Sequence, residues 1–201
     1  LRGAKAEEAH DALQANGWVV SQAHARASAK SARGTQGGAL LIHKPWLQTA
    51  IPAEASGPGG KWLPEEDTAW KHVRIKGLSI VIAFAYFDVG VGLKSSNMAK
   101  IYRLQTLRDG GQAHLLVVGD FNSTPQEWQE SGFLDILNCS VQTAGEKGTC
   151  KGASGYRLID SAIVDNGILN LIERIEQVGA VRGTRHIGIK NQLNRRPEPV
   201  R

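Results

Sequence analysis

The chain has 201 residues, 41% of them hydrophobic and 21% charged, and its net charge is +5. This length and composition fit one globular domain with a real core. No run in the sequence approaches the roughly 18 apolar residues that a membrane helix needs, so we expect no membrane segment in it. The basicity belongs to the C-terminal end, because the stretch from Arg182 onward holds six basic residues and one acid. Such an end can contact a phosphate backbone or be a solvated tail.

The first part of the chain is predicted to alternate short elements with polar connections. Apolar periodicity indicates a helix at 5–16, followed by a strand that begins at Trp18. Residues 25–38 show no periodicity, so we expect a mobile basic loop that is solvated or touches nucleic acid. Its basic residues are Arg26, Lys30 and Arg33.

The segment from residue 38 to residue 67 combines one apolar strand with a long connection. The strand is predicted at 38–43, where the sequence is continuously apolar. Residues 45–67 contain four prolines, several glycines and only scattered apolar side chains. We expect a surface connection that Trp46 and Trp62 pin to the body.

Two strands, at 69–76 and 78–86, are separated by a Lys-Gly turn and should form an antiparallel hairpin. Because the second strand is almost wholly apolar, it should be central in its sheet. A helix capped by Ser95 or Ser96 is then predicted to run to about Arg108. Its buried stripe should be Met98, Ile101, Leu104 and Leu107.

The rest of the chain adds further strands around one short helix. A helix is predicted at 125–128, a Gly/Thr/Lys loop at 143–155, and strands at 157–164, 172–178 and 187–193. Strands dominate, with helices between some of them, which is typical of an α+β protein with helices outside two packed sheets.

The most informative segment is the apolar run 115–118 and the four residues that follow it. The run predicts a buried strand, and the apolar residues stop at Gly119, where the polar Asp120 and Asn122 follow at the strand end. Because side chains alternate along a strand, Phe121 should point to one face while Asp120 and Asn122 share the other. That arrangement would hold two polar groups on a rigid strand end. An ordinary Asp/Asn turn is the alternative interpretation of the same residues.

The Gly-Asp-Phe-Asn segment at 119–122 resembles a motif of the endonuclease/exonuclease/phosphatase superfamily, the deoxyribonuclease-I-like fold. Three further segments agree in order: Ala-Tyr-Phe at 85–87, an Ile-Asp strand at 156–161 and Thr-Arg-His-Ile at 184–187. The resemblance covers roughly residues 1–193 and leaves 194–201 as a basic tail. It implies a four-layer α/β/β/α sandwich of two packed, mostly antiparallel sheets, here lacking its first strands.

The resemblance also implies Mg²⁺-dependent phosphodiester hydrolysis, with Mn²⁺ as an alternative ion and DNA cleaved endonucleolytically as in retroelement and apurinic/apyrimidinic endonuclease domains. Asp120 would activate water or contact the metal. Asn122 would share the metal site and fix a phosphate oxygen, and Tyr86 would donate a hydrogen bond to phosphate. Asp160 would pair with His186 and fix its tautomer. DNA is therefore the expected partner.

Two departures from the family pattern bear on catalysis. The family's metal-binding Glu lies upstream of the first helix, and we find no counterpart in a chain that opens at Leu1, so we expect the first strands to be missing. Arg185 stands where the family has Asp beside the His, and its fixed positive charge disfavours a second cation. Both departures predict impaired activity. Non-catalytic, weak nucleic-acid binding stays open, as does a phosphatase or phospholipase of the same fold.

The cysteine pattern bears on the compartment. Cys139 and Cys150 are eleven residues apart and form no Cys-x-x-Cys motif. This spacing favours free thiols in a reducing environment over a disulfide or a metal site. We therefore expect an intracellular protein, nuclear or cytoplasmic.

Overall fold

The computed structural model describes residues 4–23, 25–27, 35–47, 49–50, 67–75, 77–108, 112–152, 155–180 and 187–193. The helices are α1 (Ala4–Ala15), α2 (Ser95–Thr106), α3 (Pro125–Glu130), α4 (Phe133–Leu137) and a 3₁₀ helix at Asn166–Leu171. The strands of the first half are β1 (Val19–Ala23), β2 (Arg26–Ala27), β3 (Thr35–Gln36), β4 (Ala39–His43), β5 (Thr49–Ala50), β6 (Thr68–Ile75) and β7 (Leu78–Tyr86). Those of the second half are β8 (His114–Asp120), β9 (Cys139–Gln142), β10 (Cys150–Gly152), β11 (Gly155–Arg157), β12 (Asp160–Asp165), β13 (Ile172–Ala180) and β14 (Ile187–Leu193). No helix in this described part of the chain combines the length and apolar composition needed to cross a membrane.

The described strands include one six-stranded sheet with the order β5-β6-β7-β8-β12-β9. Strands β7 and β8 run parallel, with α2 in the connection between them, and the other neighbours run antiparallel. The predicted hairpin is present as β6 and β7, and β7 is central as its apolar sequence indicated. The α+β class and the mostly antiparallel pairing are confirmed.

Helices cover one face of this sheet. Alternate residues of β7, among them Val81 and Ala83, pack against the buried side of α2. The predicted stripe of α2 is confirmed, since Met98, Ile101, Leu104 and Leu107 are all buried in this cluster. Trp128 of α3 and Leu137 of α4 complete the same core.

Two hairpins cover the opposite face. The β1–β4 hairpin places Ala23 and Ala39 against Ala69 and the partly buried Phe84. The second hairpin is formed by β13 and β14, and it packs Ile172 and other residues of β13 against the apolar side chains of β8 and β12. Helix α1 contacts β1. Helices, sheet and hairpins thus form three layers, whereas the full four-layer order and the missing first strands stay predictions.

The segment between β1 and β4 differs from the expected featureless loop. Strands β2 and β3 pair within it, with Arg26 opposite Gln36. Two-residue strands lack the apolar periodicity that identifies longer strands, so this pair could not be predicted from the sequence. Lys30 and Arg33 lie outside the described residues.

Other predictions near connections are corrected in detail. Trp46 is 79% exposed and does not pin the chain to the body, and Trp62 lies outside the described residues. Helix α2 begins without a serine cap, because its N-cap residue is Lys94 and no side-chain cap bond is present. Helix α4 and strand β9 were not predicted, since both are only four or five residues long.

Candidate active site

Three of the predicted site residues lie side by side on neighbouring strands. In the parallel pairing of β7 and β8, Tyr86 is the register partner of Asp120. In the antiparallel pairing of β8 and β12, Asp160 is the register partner of the same Asp120. Because register partners in a sheet project to the same face, the three side chains form a row at one end of the sheet.

The row projects toward the hairpin layer and is partly open. Tyr86, Asp120 and Asp160 are each of intermediate burial. Val118 lies two residues before Asp120, and Ala162 lies two residues after Asp160, so both face the same side of the sheet as the row. Both pack in the core between the sheet and the β13–β14 hairpin. The row therefore marks the rim at which this core ends.

Gly119 is what lets β7 and β8 approach at this point. A Cβ built on Gly119 would lie 2.0 Å from the carbonyl oxygen of Ala85 and 3.0 Å from its carbonyl carbon. Any side chain would push the strands apart next to the Tyr86–Asp120 pair. Strand β8 continues past the apolar run through Gly119 to Asp120, which confirms that Asp120 lies at the strand end.

Asn122 reaches the row from a turn and not from the strand. Its φ is 48°, a left-handed conformation that Asn tolerates better than most residues. The backbone N–H of Asn122 donates to Oδ1 of Asp120 at 3.1 Å, which is the local geometry of an Asp/Asn turn. Its side-chain Nδ2 donates to the carbonyl of Phe87 at 2.8 Å. The turn interpretation is therefore correct for the backbone, and the same turn brings Asn122 to the end of β7.

Phe121 faces the helix side, as the alternation predicted. It is fully buried and packs edge-on against Phe87 at 5.1 Å and Trp128 at 5.5 Å between ring centroids. Helix α3 starts immediately afterwards with a capping box between Thr124 and Glu127. An aromatic cluster on one side and a capped helix on the other hold the Asp120–Asn122 turn in place.

The environment of Tyr86 keeps its hydroxyl protonated. Burial and the nearby carboxylates of Asp120, Asp88 and Asp67 raise the pKa of Tyr86, and a hydrogen bond with the Asn122 side chain opposes this only in part. A phenol with a raised pKa is neutral at physiological pH and can donate a hydrogen bond.

The backbone of Asp160 is held by Thr149, the residue just before β10. The hydroxyl of Thr149 accepts hydrogen bonds from the backbone N–H groups of Asp160 at 3.0 Å and Ile159 at 3.2 Å. The carbonyl of Ile159 accepts from the N–H of Phe121 at 3.0 Å. The two acidic strand ends are thus tied to each other through their backbones.

His186 and Arg185 lie outside the described residues. The predicted pairing of His186 with Asp160 therefore stays a prediction. The structure does bring together the other four predicted residues, Tyr86, Asp120, Asn122 and Asp160.

The oxygen donors of this row suit a hard cation. Mg²⁺ is commonly held by one or two carboxylates, with water and substrate phosphate completing its coordination. Asp120 and Asp160 supply two carboxylates on adjacent strands, and Asn122 adds an amide. Among the residues that the structure describes, no group of three or more His, Cys, Asp or Glu side chains is arranged as a metal site. The donor set fits a Mg²⁺ that keeps much of its water shell and does not fit a closed protein cage.

A second group of charged residues, not identified from the sequence, lies beneath the same strand end. Arg26 bridges the carboxylates of Asp67 and Asp88, and Lys100 contacts both of them. We call these four residues the charge network. The signal that could have found it is Lys100, a charged residue on the buried side of α2 between Asn97 and Ile101.

The fold matches solved structures of phosphate-processing enzymes. The endonuclease domain of TRAS1, a telomere-specific non-LTR retrotransposon, aligns with a TM-score of 0.62 and 16% identity over 94% of this chain and 92% of that domain. An endonuclease/exonuclease/phosphatase protein from Bacteroides vulgatus aligns with a TM-score of 0.61 and 14% identity over 96% and 82% of the two chains. The chain has the fold of these endonuclease/exonuclease/phosphatase structures.

A third structure with this fold, the 3'-5' exonuclease NExo from Neisseria meningitidis, has a TM-score of 0.52 and 15% identity over 91% of this chain and 82% of that one. No family model and no curated protein matches the sequence. At these identities the structural similarity establishes the endonuclease/exonuclease/phosphatase fold that the sequence motifs predicted.

Proposed function

We propose that the chain catalyses Mg²⁺-dependent hydrolysis of phosphodiesters, with endonucleolytic cleavage of DNA as the reaction. The observation that carries the proposal is the row of Tyr86, Asp120 and Asp160 across three adjacent strands, with Asn122 hydrogen-bonded at its end. The TRAS1 endonuclease domain and the NExo exonuclease, which share the fold, supply the expectation of a nucleic-acid substrate.

The position of the two carboxylates supports a cation at this site. Asp120 and Asp160 are directly opposite each other on neighbouring strands, and like charges in that position destabilise a sheet. A divalent cation would relieve this repulsion. Local departures of this kind from the rules of strand pairing are typical of functional sites.

The proposed roles follow from the chemistry of each side chain. Asp120, with Asn122, would hold Mg²⁺, and the ion would supply charge neutralisation at a non-bridging phosphate oxygen. The protonated hydroxyl of Tyr86 would donate to another phosphate oxygen. Asp160 would orient His186, whose imidazole would hold the scissile phosphate. Arg185 beside His186 adds a fixed charge, so we expect a slow reaction.

The test is the nicking of supercoiled plasmid by excess protein, with Mg²⁺ and with a chelator. We expect slow nicking that requires Mg²⁺. Because removing one preorganised group at such a site costs about 10²- to 10³-fold, Asp120→Asn should reduce nicking to the level of an Asp120→Ala, His186→Ala double variant.

The matched control is Asp135→Asn, which removes an exposed carboxylate on α4. This variant should nick at the rate of the unmodified chain. Nicking that survives Asp120→Asn, or that does not depend on a divalent ion, would refute the proposal. Hydrolysis of phosphomonoesters without nicking would favour the phosphatase alternative, and salt-sensitive DNA binding without hydrolysis would favour the non-catalytic one.

A further inference from the structure

The charge network joins two buried residues beneath the end of β7, Asp67 and Lys100, to the partly exposed Arg26 and Asp88. Asp67 is fully buried and Lys100 is 7% exposed. Arg26 places one guanidinium nitrogen on Oδ2 of Asp67 and another on Oδ1 of Asp88. Lys100 Nζ lies 3.0 Å from Oδ2 of Asp67 and 3.5 Å from Oδ2 of Asp88. Two positive and two negative groups are thus interleaved.

The backbone around the network is arranged to satisfy it. The N–H of Gly38 donates to Oδ1 of Asp67 at 2.8 Å. Gly37 leaves the space for this contact, since a Cβ there would lie 1.8 Å from the same oxygen. Burial acts to raise the pKa of Asp67, but the Gly38, Arg26 and Lys100 hydrogen bonds outweigh it and lower that pKa, so the carboxylate is ionised.

Stability alone does not account for such a network. Taking the buried Asp67 and Lys100 out of water costs several kcal/mol each, and well-packed apolar residues in their place are often as stable or more stable. The conformation of Asp67 adds to this cost, because its φ of 71° is uncommon for a residue other than glycine. Strain and buried charge that persist together indicate a constraint beyond packing.

The constraint is visible in the contacts of Tyr86. Lys100 Nζ donates to the carbonyl oxygen of Tyr86 at 2.8 Å, and the N–H of Tyr86 donates to the carbonyl of Asp67 at 2.9 Å. Both backbone groups of Tyr86 are therefore held by members of the network. The side chain of Asn97 also restrains the backbone of Asp88: its Oδ1 accepts from the N–H of Asp88 at 2.7 Å, and its Nδ2 donates to the carbonyl of Asp88 at 3.1 Å.

We propose that Lys100 is a positioning residue, which through its bonds to Asp67, Asp88 and the Tyr86 carbonyl fixes the Tyr86 side chain beside Asp120 and Asn122. Arg26 extends this control to the β2–β3 hairpin, because it is the member of the network that belongs to that hairpin. The inference rests on the proposed function only in assigning Tyr86 to the substrate. The positioning itself is a property of the folded chain.

The test replaces Lys100 by Met, which keeps the length of the side chain and removes its charge and donors. The chain has three tyrosines, so ring-¹³C-labelled tyrosine gives a small set of NMR signals that single Tyr→Phe variants assign. We expect Lys100→Met to shift or split the Tyr86 signal and to leave that of Tyr102 unchanged. Exchange of the Tyr86 amide hydrogen should become at least tenfold faster relative to the most protected amides of β8.

The matched control is Arg108→Met, which also breaks a largely buried ion pair, with Asp165. Arg108 follows the C-terminal end of α2 and lies at the opposite end of the sheet. This variant should destabilise the chain without moving the Tyr86 signal. If Lys100→Met does not fold, Asp88→Asn tests the same claim, because it removes a carboxylate that both cations of the network contact.

An unchanged Tyr86 signal and amide exchange in Lys100→Met, or in Asp88→Asn where that variant replaces it, would overturn the inference and leave the network a purely structural feature. Activity separates this failure from a failure of the proposed function. If the unmodified chain nicks DNA, Lys100→Met should lower kcat about 10- to 100-fold, since small displacements of a catalytic group have effects of that size. If it does not nick DNA, the NMR result still decides whether Lys100 positions Tyr86.

Discussion

The two ends of the six-stranded sheet both carry charged residues and use them differently. At the end formed by Asp165, one buried carboxylate is satisfied by Arg108, by His114 at 3.2 Å and by the N–H of Gly167 at 2.7 Å. At the end formed by Asp120, a second carboxylate, that of Asp160, lies directly opposite on the neighbouring strand. The first arrangement neutralises charge and seals the core, whereas the second sets two carboxylates side by side at a partly exposed rim. We call the Asp165 end the sealed end and the Asp120 end the open end. We infer that the sealed end stabilises the fold and that the open end binds the phosphate substrate and its cation.

The largest expected effect on stability is at the sealed end. Asp165→Asn leaves the Arg108 guanidinium without its anionic partner in a site where the carboxylate is only 2% exposed. Breaking a buried pair in this way costs about 3 kcal/mol or more, so the free energy of unfolding in urea should fall by that amount. Nicking, measured at a temperature at which the variant is folded, should be unchanged. A variant as stable as the unmodified chain would contradict the structural role assigned to this end.

Gly119→Ala tests the close approach of β7 and β8 at the open end. The new methyl group would collide with the Ala85 carbonyl, and overpacking of this kind costs about 1–3 kcal/mol. Because the collision adjoins the Tyr86–Asp120 pair, activity should fall as well. Gly77→Ala is the control: it meets no atom within 4 Å and should cost only the backbone strain of a positive φ, about 1 kcal/mol.

Acid should weaken the open end through Asp67. Its pKa is lowered in the folded chain, so its ionised form contributes stability that is present above the ordinary carboxyl pKa. That contribution is lost as the pH falls below about 4 toward the lower folded pKa. Urea unfolding at a series of pH values should therefore show a steeper acid loss in the unmodified chain than in Asp67→Asn. Equal slopes would indicate that Asp67 is not held as a carboxylate.

The smallest expected change in stability is a gain and not a loss. Asp120→Asn removes one of two like charges that face each other across β8 and β12, so it should leave the chain as stable as before or stabilise it by about 0.5 kcal/mol. The same variant should abolish nicking. Substantial destabilisation would place Asp120 with Asp165 as a structural carboxylate and would remove the contrast between the two ends.

The sequence predicted most of the central elements because their signals are local. The apolar run of β7 and the stripe of α2 both depend on residues within one element, and both are confirmed. The two-residue strands β2 and β3 have no periodicity to detect, and the charge network joins residues 26, 67, 88 and 100, which are distant in sequence. Long-range electrostatic contacts of this kind have no single-segment signature.

In the candidate site, too, some placements could be predicted from the sequence and others could not. The order of the motifs predicted that Tyr86, Asp120 and Asp160 would converge, and strand register brings them together. The placement of Asn122 was wrong in its local reason, because a positive-φ turn and not strand alternation directs it. His186 stays a prediction.

The most direct test of the account is the binding of a paramagnetic divalent ion at the Asp120 row. With ring-¹³C-labelled tyrosine, added Mn²⁺ should broaden the Tyr86 signal at concentrations that leave the exposed Tyr102, on α2, sharp. Asp120→Asn should abolish that selective broadening. A Tyr86 signal that Mn²⁺ leaves unchanged, or broadens equally in Asp120→Asn, would contradict a metal-dependent site at this end of the sheet.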